Sequence, residues 1–145
     1  SDMFSVLEKT LLLKSVNLFK NIPGDILSKI AQISEEVEIG FDEKLFDQGE
    51  HGDSLYIIIH GKISVTQNEK SITILEQGDC IGEMALLDQE PRSAGAVAIV
   101  DSVLLKIDQE GFYELMSTNP EIMKQIVMIL TQRVREMNKK VTSSL

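Results

Sequence analysis

The stretch Gly78-Asp79-Cys80-Ile81-Gly82-Glu83-Met84-Ala85-Leu86-Leu87, continued by Asp88-Gln89-Glu90-Pro91-Arg92-Ser93-Ala94, reads as neither ordinary strand nor ordinary turn. Gly82 to Leu87 has strong helix-forming character over a single turn, yet strand-like runs flank it. One helical turn set among strands leaves its first N–H groups without partners, and with the positive dipole end they can hold an anion. Gly82 lets a ligand approach the backbone, and Glu83 supplies a carboxylate that accepts a hydroxyl hydrogen. Arg92 lies nine residues beyond Glu83, far enough for the chain to turn its fork back. A planar guanidinium suits phosphate oxygens better than a lysine ammonium does. This chemistry matches a compact ligand with one phosphate and a ribose hydroxyl. It does not match a triphosphate, because no glycine-rich loop ends in Lys-Ser or Lys-Thr.

The elements that must position these groups fit one core, since the chain has 145 residues. Apolar residues make up 43% and charged residues 26%, which excludes both a disordered tail and a membrane-inserted chain. No apolar run approaches the roughly 20 residues of a spanning helix. Cys80 is the only cysteine, so no disulfide framework exists, in keeping with a reducing, cytoplasmic setting. Fourteen basic residues against 23 acidic ones give a net charge of −9, which argues against a nucleic-acid partner. Of three arginines, Arg133 and Arg135 stand near the C-terminus and Arg92 is alone before them. If this domain binds an anion, one guanidinium does most of the neutralisation.

Ser1-Asp2 ahead of Met3 reads as an appended remnant, and no signal peptide or targeting motif follows. Ser5-Val6-Leu7-Glu8 is a capping-box pattern that predicts a helix near 5–15, with Val6, Leu7, Leu11 and Leu13 at helical spacing. Pro23-Gly24-Asp25 opens a second helix with Ile26, Leu27, Ile30 and Ile33 on one face. From about residue 35 the period shortens: Val37-Ile39, Lys44-Phe46, Leu55-Ile59, Lys62-Thr66, Ile72-Leu75, Gly95-Ile99 and Val103-Ile107 alternate with glycine-bearing turns. Seven or eight short strands without long crossovers predict an antiparallel sandwich or barrel. After Asp108, which can cap it, a short helix carries Phe112, Leu115 and Met116. Asn119-Pro120-Glu121 starts the last helix, whose Ile122, Ile126, Ile129, Leu130 and Val134 form a stripe to about 138. Residues 141–145 read as a frayed tail. The expected organisation is a helical lead-in over 3–34, a β-roll over 35–107 with the phosphate cassette at 81–94, and C-terminal helices over 108–138. Together they make one domain, mainly β with flanking helices.

Gly82-Glu83-x-Ala85-Leu86-Leu87 followed by Pro91-Arg92-Ser93-Ala94 resembles the phosphate-binding cassette of the cyclic nucleotide-binding domain family. That family includes the regulatory domains of protein kinase A, cyclic-nucleotide-gated channels and catabolite activator proteins. Phe46-Asp47-Gln48-Gly49-Glu50-His51-Gly52-Asp53-Ser54-Leu55-Tyr56-Ile57-Ile58, Gly61-Lys62-Ile63 and Leu18-Phe19 extend the likeness over roughly residues 10–138. The resemblance implies a double-stranded β-helix, or jelly-roll, that binds cAMP or cGMP and needs no metal. It implies that Glu83 accepts from the ribose 2′-hydroxyl and that Arg92 pairs with the cyclic phosphate. Backbone N–H groups around Gly82, Met84, Ala85 and Ala94 would add phosphate donors. Ser93 would reach a syn purine, and Ile81 would line the apolar side where the family most often has phenylalanine. No aromatic residue stands on the terminal helix to cover the base; Arg133, Met137 and Asn138 are the lid candidates. No helix-turn-helix follows residue 145, so the expectation is a sensory domain joined to an effector in a larger parent protein, membrane-attached or not. Occupancy would pass through the C-terminal helices.

Plainer readings accompany these. Glu83 can be a solvated carboxylate at a helix start, and Arg92 a surface partner of Glu90 or Asp88. His51 and His60 would need further ligands to make a cupin-like metal site. Cys80 has no base at a recognisable spacing and reads as a small buried hydrophobe, so no catalytic residues are expected. The Met and Ile positions along 122–137 face a core, and some of them offer a homodimer surface on the terminal helix. The alternative function is a module that kept the fold, lost the ligand, and serves in dimerisation or docking.

Overall fold

A computed structural model describes residues 3–143. In chain order it contains α1 (Val6–Leu13), a 3₁₀ turn (Asn17–Phe19), α2 (Gly24–Ile33), β1 (Glu35–Ile39), β2 (Lys44–Phe46), β3 (Ser54–His60), β4 (Ile63–Gln67) and β5 (Lys70–Leu75). There follow β6 (Cys80–Ile81), a second 3₁₀ turn (Glu83–Leu86), β7 (Gly95–Ala98), β8 (Ser102–Asp108), α3 (Gln109–Thr118) and α4 (Pro120–Ser143). The strands form two four-stranded sheets, β1-β8-β3-β6 and β2-β7-β4-β5, and every pairing is antiparallel. This is the antiparallel arrangement expected from the glycine-punctuated strands, and the jelly-roll that the family resemblance implies, with Cys80–Ile81 as its short eighth member.

The apolar runs of β3 and β8 are continuous because both faces of these central strands are covered. Leu55, Ile57, Leu105 and Ile107 face the helices, where they meet Leu13, Phe19, Leu27, Ile30, Phe112 and Ile122. Tyr56, Ile58 and Leu104 turn into the roll against Phe46, Ile63, Ile81, Ala96 and Ala98. Alternation along one strand therefore couples the helical layer to the interior of the roll.

Several local expectations change in the folded chain. The capping box holds, with Ser5 Oγ accepting from Glu8 N–H and the Glu8 carboxylate accepting from Ser5 N–H. However, α1 buries Lys9, Thr10 and Leu13 and leaves Leu7 and Leu11 exposed. The buried face is set by β1 as well as by hydrophobicity: Lys9 Nζ reaches Glu36 at 3.8 Å. Asp108 makes no capping bond to α3; its carboxylate accepts from Ser54 Oγ at 2.7 Å instead. Asn119 closes the end of α3 by donating to the Leu115 carbonyl at 3.0 Å, rather than capping α4. The last helix continues to Ser143 instead of stopping near 138, so 141–143 are helical rather than frayed. Ser1-Asp2 and the final two residues of the expected tail lie outside the described residues.

Leu105 is fully buried and Leu7 is 68% exposed, although both are leucines in regular elements. Leu105→Ala should lower unfolding free energy by about 3 kcal/mol, and Leu7→Ala should stay within about 0.5 kcal/mol of the parent. Equilibrium urea unfolding of the two variants checks this.

Candidate functional site

An open cleft of about 370 Å³ lies beside the segment that joins β6 to β7. Ile81, Gly82, Met84, Ala85, Arg92, Ser93 and Ala94 line it, facing the apolar side chains of Phe46, Val65 and Leu75. Seven of the eight residues singled out from the sequence thus come together on one wall; Glu83 does not line the cleft.

The wall is built by backbone geometry. Gly82 takes a left-handed conformation at φ 77° and starts the single helical turn expected, which is a 3₁₀ turn over Glu83–Leu86. The Ala85 N–H closes that turn on the Gly82 carbonyl at 2.9 Å. Buried Gln109 on α3 donates to the carbonyls of Ala85 and Asp88 at 3.0 and 2.9 Å. The Tyr113 hydroxyl donates to the Leu87 carbonyl at 2.9 Å. These two side chains fasten the cassette to α3, and nothing in their local sequence marks them for it.

Arg92 is launched inward by its own backbone. Its N–H donates to the Glu50 carbonyl at 2.7 Å, and its carbonyl accepts from Gly49 N–H at 2.8 Å. The side chain lies over Phe46, with Cζ 4.1 Å from the ring centroid, and Nη2 donates to the Ser54 carbonyl at 3.0 Å. It pairs with neither Glu90 nor Asp88. Nη1 is buried with no hydrogen-bond partner, and among the described residues it is the only side-chain nitrogen or oxygen so placed. Burial pulls the guanidinium pKa below its ordinary value, while Tyr56 and the Asp53 and Glu50 carboxylates oppose that pull. An arginine stays charged regardless, so the site holds a partly desolvated cation short of counter-charge. Two glycines make room for it: a Cβ at Gly52 would overlap Nε, and a Cβ at Gly82 would overlap Nη1.

Glu83 turns toward the helices. One carboxylate oxygen accepts from Arg133 Nη2 at 2.7 Å, and the other accepts from Leu18 N–H at 3.4 Å. Arg133 also donates from Nε to the Asn17 side-chain oxygen at 3.2 Å. Arg133 is thereby engaged beneath the cassette rather than over the cleft, and the other lid candidates, Met137 and Asn138, are exposed and line none of it. Cys80 is half-buried on the cleft wall. Burial, with the Glu83 charge adding to it, pushes the thiol far above its ordinary range, so it remains protonated and unreactive. Among the described residues no cluster of His, Cys, Asp or Glu could hold a metal ion.

Gly78 and Gly82 both have positive φ, at 86° and 77°, but a Cβ at Gly78 would meet open space. Gly78→Ala should therefore cost only the left-handed strain of about 1–2 kcal/mol. Gly82→Ala should cost more, because Arg92 must also leave its slot. Paired thermal unfolding curves read the difference.

Residues 36–119 match the family model described as cyclic nucleotide-binding domain. The chain is 26% identical over 132 residues to a CRP-like cAMP-activated global transcriptional regulator of Mycobacterium tuberculosis, covering 88% of this chain and 59% of the regulator. It is 34% identical over 121 residues to cGMP-dependent protein kinase 2 of Homo sapiens, covering 79% of this chain and 16% of the kinase. The chain therefore spans under two thirds of these relatives. Its fold superposes on the N-terminal domain of a transcriptional regulator from Streptomyces coelicolor A3(2) with a TM-score of 0.83 at 22% identity, covering 89% of this chain and 93% of that one. Strand order, cassette and matched span agree: this chain belongs to the cyclic nucleotide-binding domain family.

Proposed function

We propose that the cleft binds a 3′,5′-cyclic purine nucleotide and that the domain acts as a non-catalytic sensor within a larger, cytoplasmic regulatory protein. The observation that carries this reading is the buried, partnerless Nη1 of Arg92. A buried donor left unsatisfied costs about 1–3 kcal/mol, and a phosphate oxygen at the cleft wall removes that cost while neutralising the charge. Gly82, Met84 and Ala94 line the same cleft, and their backbone N–H groups would add donors, whereas the Ala85 N–H, expected as another, is taken by the Gly82 carbonyl. Phe46, Val65, Leu75 and Ile81 offer an apolar bed for the base. The relatives named above include one activated by cAMP and one dependent on cGMP, ligands that share the same sugar-phosphate ring. Ser93 is the hydroxyl residue on the wall that can favour guanine in its syn form.

Occupancy reaches the helices by two routes. Gln109 and Tyr113 tie the cassette to α3, and the Glu83–Arg133–Asn17 bracket ties it to α4. Glu83 faces the helices and does not line the cleft, so a ribose hydroxyl reaches its carboxylate only once that side chain leaves Arg133, and on this reading the ligand favours the arrangement in which α4 is released.

In a thermal-shift series, saturation at a hundred times the dissociation constant adds about 2.7 kcal/mol, which is several degrees for a domain of this size. cAMP or cGMP should produce that shift, 5′-AMP and ATP should not, and Arg92→Ala should abolish it. No shift with any cyclic nucleotide would make the domain a ligand-free docking module. The Arg133–Glu83 pair is partly exposed and worth about 1 kcal/mol or less. By calorimetry, Arg133→Gln should therefore bind the nucleotide about 2- to 5-fold more tightly; weaker binding would show that Arg133 instead holds Glu83 ready for the ribose.

A further inference from the structure

The cleft holds few charges, and their signs are uneven. Among the described residues, the side chains that line it and are ionised are Arg92, Asp88 and Glu90. Neither carboxylate forms an ion pair with Arg92 or with any other described cation. Both are exposed at the mouth, while the guanidinium lies deeper. The Glu50 and Asp53 carboxylates also act on that guanidinium, so acid outnumbers base around it.

The acids are held in place rather than trailing on a loose loop. The Asp88 N–H donates to the Met84 carbonyl at 3.1 Å, and the Asp88 carbonyl accepts from buried Gln109 at 2.9 Å. The Asp88 carboxylate accepts from the Glu90 N–H at 3.2 Å, which fixes it against the next acid of the rim. Pro91 then bridges to His51, and the Arg92 N–H donates to the Glu50 carbonyl at 2.7 Å. Residues 88–92 thus carry two carboxylates and one guanidinium on a single anchored arc.

Charge counting limits what such a cleft accepts. One negative charge on a ligand balances Arg92. A second finds no further cation on the wall and faces two carboxylates. A phosphate diester carries one charge, whereas a phosphate monoester carries nearly two once it loses its second proton at about pH 6. Like charges about 6 Å apart in a water-like medium cost about a three-fold loss of affinity, so two carboxylates cost about ten-fold for each added ligand charge.

We infer, on the nucleotide reading of the same cleft, that Asp88 and Glu90 determine its specificity by charge. They turn the cleft against phosphate monoesters and polyphosphates and leave it open to singly charged phosphate diesters. Opening the sugar-phosphate ring changes shape and charge together, so cassette geometry and the acid rim both reject 5′-AMP. They part on a ring-open diester, which has the wrong shape and the right charge.

The 5′-AMP methyl ester is such a ligand. Calorimetry with cAMP, and its displacement by 5′-AMP and by the methyl ester, compares the three on the full chain at pH 8 and low salt, with the guanosine set in parallel. Asp88→Asn combined with Glu90→Gln keeps both side-chain shapes and the oxygen that accepts from the Glu90 N–H. It should raise affinity for 5′-AMP about ten-fold more than for cAMP or the methyl ester. Glu114→Gln, which removes a charge from α3 outside the cleft, should leave these ratios unchanged. A double variant in which 5′-AMP gains no more than the methyl ester, or an equal shift from Glu114→Gln, would overturn the charge rule while cAMP or cGMP binding leaves the nucleotide reading standing. A parent chain that binds no cyclic nucleotide overturns both together.

Discussion

The guanidinium of Arg92 is the constraint around which the rest of the site is arranged. A cation half-removed from water needs its donors filled, and the fold fills some of them: Ser54 takes Nη2, and the Phe46 ring face takes the delocalised charge. Nη1 is left buried without a partner, against Gly82 of the cleft wall. An anion is the partner proposed for that unfilled donor. Gly52 and Gly82 answer the steric side of the same constraint, since a methyl group at either would occupy the guanidinium's volume.

That slot exists because the cassette is held from several directions at once. The turn at Gly49-Glu50 fixes the backbone of Arg92, β3 supplies the Ser54 carbonyl, and β2 supplies the Phe46 ring. On the far side Gln109, Tyr113 and Arg133 reach the same short segment from the C-terminal helices. A segment with little regular hydrogen bonding of its own thus depends on contacts with two layers, the roll and the helices. Any rearrangement of the cassette must work against both sets of bonds, which is the physical basis of the coupling proposed above.

Much of the fold is legible along the chain. Strand-length apolar runs broken by glycine, with helical periods before and after, lead to the two-sheet roll because period and turn chemistry are local properties. The Ser5/Glu8 capping box is local too, and it forms as written. Less legible are the choices that depend on what packs alongside. Lys9 is buried and Leu11 exposed because β1 presents Glu36 to one face of α1. Asp108 and Asn119 have capping chemistry, but Ser54 and the Leu115 carbonyl offer them competing partners. Val134 continues the apolar pattern of α4 yet faces away from its own core.

In the site itself, residue types and the nine-residue gap between Glu83 and Arg92 raise the expectation of a phosphate and a hydroxyl, because donor geometry and charge belong to the side chains themselves; the folded chain brings Arg92 but not Glu83 to the cleft wall. Where those side chains point is another matter. Arg92 enters a slot formed by residues up to 46 positions away, and Glu83 is claimed by Leu18 and Arg133 from opposite ends of the chain. Such partners are chosen by three-dimensional proximity and by competition for lone pairs, quantities that no spacing along a linear chain encodes.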